Sequence, residues 1–378
     1  MDPIISLRDY CRAERDWLLD TIETLVRLES PTTDKDAVDR CGAELAARLE
    51  AIGGRVTRLP RADRGDHLLA EFGCGASQIL VLGHFDTVWP VGQVERMPIV
   101  RRDGRLHGPG VFDMKAGIAL AMLATRALFE AAVAPRHRIV MLWTTDEETG
   151  SASSRAAIED EARRSEAVLV LEPSLPGGAV KTARKGCGGY EVIVTGVAAH
   201  AGIEPEKGAS AVHELAHQIL RIDALQDLAR GVSVNVVRVS GGARSNVIPD
   251  EARAIVDVRV PTADAATAID AAFAGLQPLD PRTTVRAIGG FDRPPLQRTE
   301  AVGRLYEQAR SIALELGVDL QEGGTGGGSD GNFTAALGIP TLDGLGAIGD
   351  GAHALREHVE MEPLPDRAAL VAGLLARL

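Results

Sequence analysis

The chain has 378 residues, 45% of them hydrophobic and 25% charged, so a packed soluble protein of two or three domains is expected. A net charge of −12 with no clustered basic surface argues against a nucleic-acid partner. No uninterrupted apolar run reaches the ~20 residues of a membrane helix, which argues against a membrane partner.

The first stretch after Met1 lacks a basic segment followed by an apolar one, so no secretory signal is read and a cytoplasmic location is expected. Residues 6–28 carry Leu7, Tyr10, Cys11, Leu18, Leu25 and Val26 at helical spacing, and residues 36–52 carry Val38, Cys41, Leu45 and Leu49 on one face. Gly53-Gly54 stops that second helix. Strands are predicted near Val56, over 67–72 and over 79–82, the last fully apolar and therefore central. A long Ala/Leu helix over 115–132 follows, then a buried strand over 138–143, a helix over 151–163 and a strand over 167–171. Strands alternating with helices predict a mainly parallel sheet with helices on both faces.

The pattern changes near residue 185. Strands over 190–194, 232–239, 252–260 and 284–288 and helices over 207–222 and 263–276 follow the order βαββαβ of a ferredoxin-like unit. The expected domains are therefore 1–183 with 292–378, and an inserted domain at 184–291. Helices over 300–316 and 366–378 close the chain. Cys11, Cys41, Cys74 and Cys187 show no C-x-x-C spacing and read as free thiols of a reducing cytoplasm.

Five residues lie where strands, glycine turns or both end: His84, Asp113, Glu148, Glu172 and His353. Open α/β sheets carry their chemistry at the carboxyl ends of strands. Two imidazoles and three carboxylates form a mixed N/O set suited to zinc or a similar divalent ion. Asp86 lies two residues from His84, on the same side of an extended segment, where it can orient the ring. Of the adjacent Glu147 and Glu148, one can bind metal while the other stays free to move a proton.

These residues sit in Gly83-His84-Phe85-Asp86-Thr87-Val88, in the run Gly108–Gly117 around Asp113, in Thr145-Asp146-Glu147-Glu148-Thr149-Gly150 and in Leu171-Glu172-Pro173-Ser174. Further pieces are Ala199-His200-Ala201-Gly202, Ser245-Asn246-Val247-Ile248-Pro249, Asp257-Val258-Arg259 and the run Pro340–Gly346. In this order over nearly the whole chain, they resemble the M20 family of zinc metallopeptidases, most closely its glutamate carboxypeptidase (carboxypeptidase G2-like) branch.

The resemblance implies a zinc-peptidase catalytic domain of α/β class with an inserted ferredoxin-like dimerisation (lid) domain. It implies two Zn2+ per subunit, with Co2+ or Mn2+ as substitutes. His84 and Glu172 would hold one ion, Glu148 and His353 the other, and Asp113 would bridge them. A hydroxide between the ions would attack the amide carbonyl, with Glu147 as general base and Asp86 orienting His84. It further implies a homodimer in which His200 reaches the partner's site to stabilise the oxyanion, and substrate binding by Arg259 and Asn246, with Lys181 or Lys185 beside them. The implied substrate is a small peptide or N-acyl amino acid that loses a glutamate-like C-terminal residue; the alternative is an N-acyl-amino-acid deacylase of the deacetylase, desuccinylase or aminoacylase type. His353, rather than His358 five positions on, is taken as the last ligand.

A separate motif, His213-Glu214-Leu215-Ala216-His217, has the zincin form H-E-x-x-H on a helix. No third ligand follows it in a matching position, and it reads as an ordinary amphipathic helix.

Overall fold

The computed structural model describes residues 3–378. The chain divides into two compact units. One holds the residues up to Ala183 with Arg298–Gly324 and Ser329–Leu378, and the other holds Arg184–Gln297 with Thr325–Gly328.

The first unit is an α/β fold around a six-stranded mixed sheet. Its strands, edge to edge, are Arg55–Leu59, His67–Phe72, Arg138–Thr144, Gln78–His84, Ser165–Val170 and Thr341–Leu342. The last four run parallel, and the first two are antiparallel to their neighbours. Successive side chains in a strand point to opposite faces. Ile79, Val81, Ile139, Met141 and Trp143 therefore join one core with the helices Lys35–Ala51, Ala116–Glu130 and Leu364–Arg377. Leu80, Leu82, Val140, Leu142, Val168 and Val170 join a second core with Ile158, Ala162 and Phe333. Burial on both faces is why these strands read as unbroken apolar runs.

The helices expected over 151–163 and 207–222 begin four residues later, at Arg155 and Ala211, and two others differ for a local reason. The stretch over 6–28 is two helices, Pro3–Ala13 and Arg15–Arg27, separated at Glu14. The bonds Glu14 N–H to Tyr10 O and Leu18 N–H to Glu14 O carry the helical period across the break, so the apolar spacing does not register it. The helix expected over 115–132 runs Ala116–Glu130, because Val111–Lys115 winds a wider turn in which Asp113 is not helical (φ −115°, ψ 93°). Asp113 is thereby held outside the helix; the Asp113–Met114 peptide is cis.

The second unit is a four-stranded antiparallel sheet in the order Ser233–Gly241, Glu251–Val260, Gly186–Thr195, Thr284–Arg293. Residues of Glu251–Val260 alternate in burial. Val192, Val194, Val256 and Val258 pack with Leu215 and Ile222 of the helix Ala211–Asp223 and with Ile269 and Phe273 of Ala263–Ala274. Tyr190 stacks on Phe273 with ring centroids 3.8 Å apart.

All four cysteines are unpaired. Among the described residues no helix is long and apolar enough to cross a membrane.

Two glycines grip the end of the strand Ser165–Val170. A Cβ on Gly117 would lie 2.0 Å from Leu171 O, and one on Gly346 would lie 2.3 Å from Leu171 O and 2.6 Å from Glu172 O. Backbone cannot yield to such contacts as a flexible side chain can. Gly117→Ala is therefore expected to lower the unfolding free energy by about 1–3 kcal/mol, the usual cost of overpacking. Urea denaturation measures this, and an unchanged midpoint would show that helix and strand can separate freely here.

Candidate metal centre

Three neighbouring parallel strands end at the same place. His84 closes Gln78–His84, Glu147 and Glu148 follow Arg138–Thr144, and Glu172 follows Ser165–Val170. Asp113 comes from the turn before the helix Ala116–Glu130, and His353 from the loop after Gly349–Asp350. His353 has φ 59°, a left-handed conformation rare for a non-glycine residue and common at functional sites.

The five side chains form two groups that share Asp113. His84, Asp113 and Glu172 make one and Asp113, Glu148 and His353 the other, each with ligand atoms within 4.8 Å of one another. His84 Nε2 is 3.3 Å from Asp113 Oδ1 and 3.4 Å from Glu172 Oε1. His353 Nε2 is 3.4 Å from Asp113 Oδ2 and 3.1 Å from Glu148 Oε2.

The electrostatics follow from this crowding. Burial alone would depress the His84 imidazolium, but Asp113, Asp86 and Glu172 hold its pKa well above the ordinary value. Asp113 and Glu148 raise that of the less buried His353 to about 10. Burial pushes the Asp113 carboxyl up, yet the two histidines bring it well below the usual carboxylate range. Glu148 goes up, chiefly by burial. Asp113 Oδ1 and Glu148 Oε1 are buried and accept no hydrogen bond. Buried carboxylate oxygens without donors need cations. The donor set and these two oxygens fit a pair of divalent ions.

Glu147 belongs to neither group, and its charge helps raise the His84 pKa. Asp86 does more than orient the ring. His84 Nδ1 lies 3.0 Å from the main-chain oxygen of Asp86 and 3.4 Å from its Oδ1. The Asp86 carboxylate accepts from Thr32 Oγ1 at 2.7 Å and from the main-chain N–H groups of Glu147 and Glu148 at 3.4 and 3.3 Å. It thus ties the His84 strand end to the Glu147–Glu148 turn.

Lys181 is buried in the first unit, with its main chain bridged to Asp343. His200, Asn246 and Arg259 lie in the second unit, as does Lys185. There His200 pairs with Val247, and the Ala201 N–H donates to Asn246 O at 2.9 Å, which brings His200 and Asn246 side by side. Arg259 donates from Nε and Nη2 to Asp257 at 3.1 and 2.8 Å and from Nη1 to Cys187 Sγ.

Other residues here carried little sequence signal. Glu357 accepts from the main-chain N–H groups of Gly110, Phe112 and Asp113. Ser329 and Asp330, at the end of the Gly-rich run, are buried and brace loops: Ser329 donates to Asp343 at 2.6 Å, and Asp330 accepts from Thr144 at 3.1 Å and from Ser151. His358 is buried against His107, with Nδ1 on Arg356 O. The H-E-x-x-H helix is no zincin site. Glu214 points inward and accepts from the main-chain N–H groups of Leu279 and Asp280 at 3.0 and 2.9 Å, whereas His213 and His217 face solvent.

The model of peptidase family M20/M25/M40 matches residues 80–377. The chain belongs to this family. A carboxypeptidase G2 of Pseudomonas sp. is 32% identical over 376 residues, covering 97% of this chain and 90% of that protein. A succinyl-diaminopimelate desuccinylase of Bordetella pertussis is 30% identical over 376 residues, covering 92% of this chain and 94% of that protein. The fold is similar to that of aminopeptidase PepT from Bacillus cereus, with a TM-score of 0.82 at 23% identity, covering 96% of this chain and 98% of that one. It is also similar to an M20 family metallo-carboxypeptidase from Sulfolobus solfataricus, with a TM-score of 0.72 at 16% identity, covering 95% and 98%. Membership and the paired ligand clusters make this M20 protein a metal-dependent hydrolase.

Because Asp113 is common to both groups, Asp113→Ala is expected to lose two ions per chain, and Glu148→Ala one. Metal analysis after dialysis reads this, and equal losses in the two variants would contradict a shared ligand. An entering ion must displace the His353 proton, so affinity should rise with pH from about 6.5 to about 10. Chelator competition across that range checks the sign.

Proposed function

We propose that the protein removes the acyl group from an N-acyl amino acid, in the manner of the deacetylase, desuccinylase and aminoacylase branch of the family. The observation that carries the hydrolase chemistry is Asp113 shared between two ligand clusters, with Glu147 beside them and in neither. The relatives named succinyl-diaminopimelate desuccinylase support the acyl substrate.

In this reading His84 and Glu172 would hold one ion and Glu148 and His353 the other, with Asp113 serving both. Zinc suits the donors, with cobalt or manganese as substitutes. When bound, two such ions would supply Lewis acidity toward a water and the scissile carbonyl. Glu147 takes the water's proton and passes it to the leaving amine nitrogen. Asp86 keeps the His84 ring and the Glu147 main chain in register.

Arg259 receives the carboxylate of the amino acid. Asp257 and Cys187 occupy three of its five N–H groups, which leaves one on each terminal nitrogen for a two-pronged contact. Asn246 donates an amide N–H nearby, and Lys181 adds a cation.

The second unit, taken as a ferredoxin-like insertion at 184–291, serves as dimerisation and lid domain. Its edge strand Ser233–Gly241 exposes Val237 and Val239, which supports pairing with a second copy. His200 then stabilises the oxyanion in the partner's site. The four unpaired cysteines support a reducing, cytoplasmic setting.

A second reading, release of a glutamate-like residue from a peptide, is favoured by the 32% identity to carboxypeptidase G2. One panel separates the two: N-acetyl and N-succinyl amino acids against dipeptides, each varied at the C-terminal residue. Turnover of the acyl substrates with little on dipeptides is expected, and the reverse order would replace the first reading by the second. Glu147→Gln should reduce kcat by about 10²–10⁴-fold with both ions retained; loss of an ion instead would make Glu147 a ligand.

A further inference from the structure

The Glu357 carboxyl lies in the interior, with 1% of its surface exposed. Both of its oxygens are doubly engaged. Oε2 accepts from Trp89 Nε1 at 2.8 Å and from the Gly110 N–H at 2.9 Å. Oε1 accepts from the Phe112 and Asp113 N–H groups at 2.9 and 3.1 Å. Three of these four donors are main-chain groups, of Gly110, Phe112 and Asp113, in the turn that presents Asp113. That turn is neither helix nor strand at Asp113, so no regular ladder fixes it.

The other end of Glu357 belongs to the loop of His353. Its own N–H donates to Ala354 O at 2.9 Å, and the Ala354 N–H donates to Gly351 O at 2.8 Å. These bonds close a tight turn with Gly351 and His353 both at positive φ. One residue therefore joins the loop of His353 to the turn of Asp113, 244 residues away in sequence.

We infer that Glu357 is a positioning residue for both metal sites, holding Asp113 where two ions share it and fixing the loop of His353 to the same frame. This rests on the two-ion reading above. The demand is for a carboxylate in particular. Each oxygen faces two donors, so an amide could not replace it in either orientation. Turned one way, its –NH2 would face Trp89 Nε1–H and the Gly110 N–H. Turned the other way, it would face the Phe112 and Asp113 N–H groups. Either the indole and Gly110 or Asp113 itself would have to move.

The test compares zinc binding by wild type, Glu357→Gln, Trp89→Phe and the double variant, by competition with a chromophoric chelator. Thermal unfolding of the metal-free proteins is followed in parallel. Wild type should bind two zinc ions; failure to do so would overturn the two-ion reading and this inference together. Glu357→Gln should weaken both ions by about 10–100-fold, the usual effect of losing a partner behind a metal ligand. Metal-free stability should fall much less.

The double variant has the same charge as Glu357→Gln but lacks the indole N–H that the amide would face. Partial recovery of affinity in it separates geometry from charge. Wild-type affinity in Glu357→Gln, loss of the His353-side ion alone, or no recovery in the double variant would each overturn the inference. If Glu357→Gln does not fold, Trp89→Phe decides alone: both ions should bind several-fold more weakly, and unchanged binding would overturn it.

Discussion

Asp113, Glu148 and Glu172 bring three carboxylates against two imidazoles at the end of a sheet, and two of the carboxylate oxygens are buried with no donor. Like charges this close repel unless positive charge comes between them. Without ions the only positive charge available is a proton on each ring, which is why both histidines hold protons well above their ordinary range. The same arrangement that is costly empty is suited to two divalent cations. Much of the surrounding structure keeps these groups from moving apart.

The rigidity comes from elements with little chemistry of their own. Parallel strands bring His84, Glu148 and Glu172 to one edge because they run in register. Gly117 and Gly346 let a helix and a loop close on the main chain at Leu171–Glu172. Two buried carboxylates, Asp86 and Glu357, take main-chain N–H groups from the turns that carry Glu148 and Asp113. The centre thus depends on two kinds of carboxylate: those grouped with the histidines in the two candidate clusters, and those that accept main-chain N–H groups and hold the first kind in place.

Much of this was legible in the sequence. The strand over 67–72 was placed to the residue, and the other central strands within two. Unbroken apolar runs betray strands buried on both faces, and the candidate ligands follow such runs or glycine turns. What misled was the periodicity of the first helix, because its apolar face continues through the break at Glu14. The H-E-x-x-H motif was a formal match only: spacing cannot tell which way Glu214 points, and it points into the core to hold the 279–280 turn.

By itself the sequence offered the class of the fold, the five candidate ligands and a pair of adjacent glutamates of which one could stay free. Each of these depends on residue type and local period, which are one-dimensional. The resemblance implied that Asp113 is shared and Glu147 free; only the tertiary structure decided that Asp86 contacts a turn as well as a ring, and that Glu357 braces a turn 244 residues distant. Those facts concern which oxygen has donors and which has none. That is settled by main-chain groups brought together from far apart in the chain, and no local pattern of side chains records it.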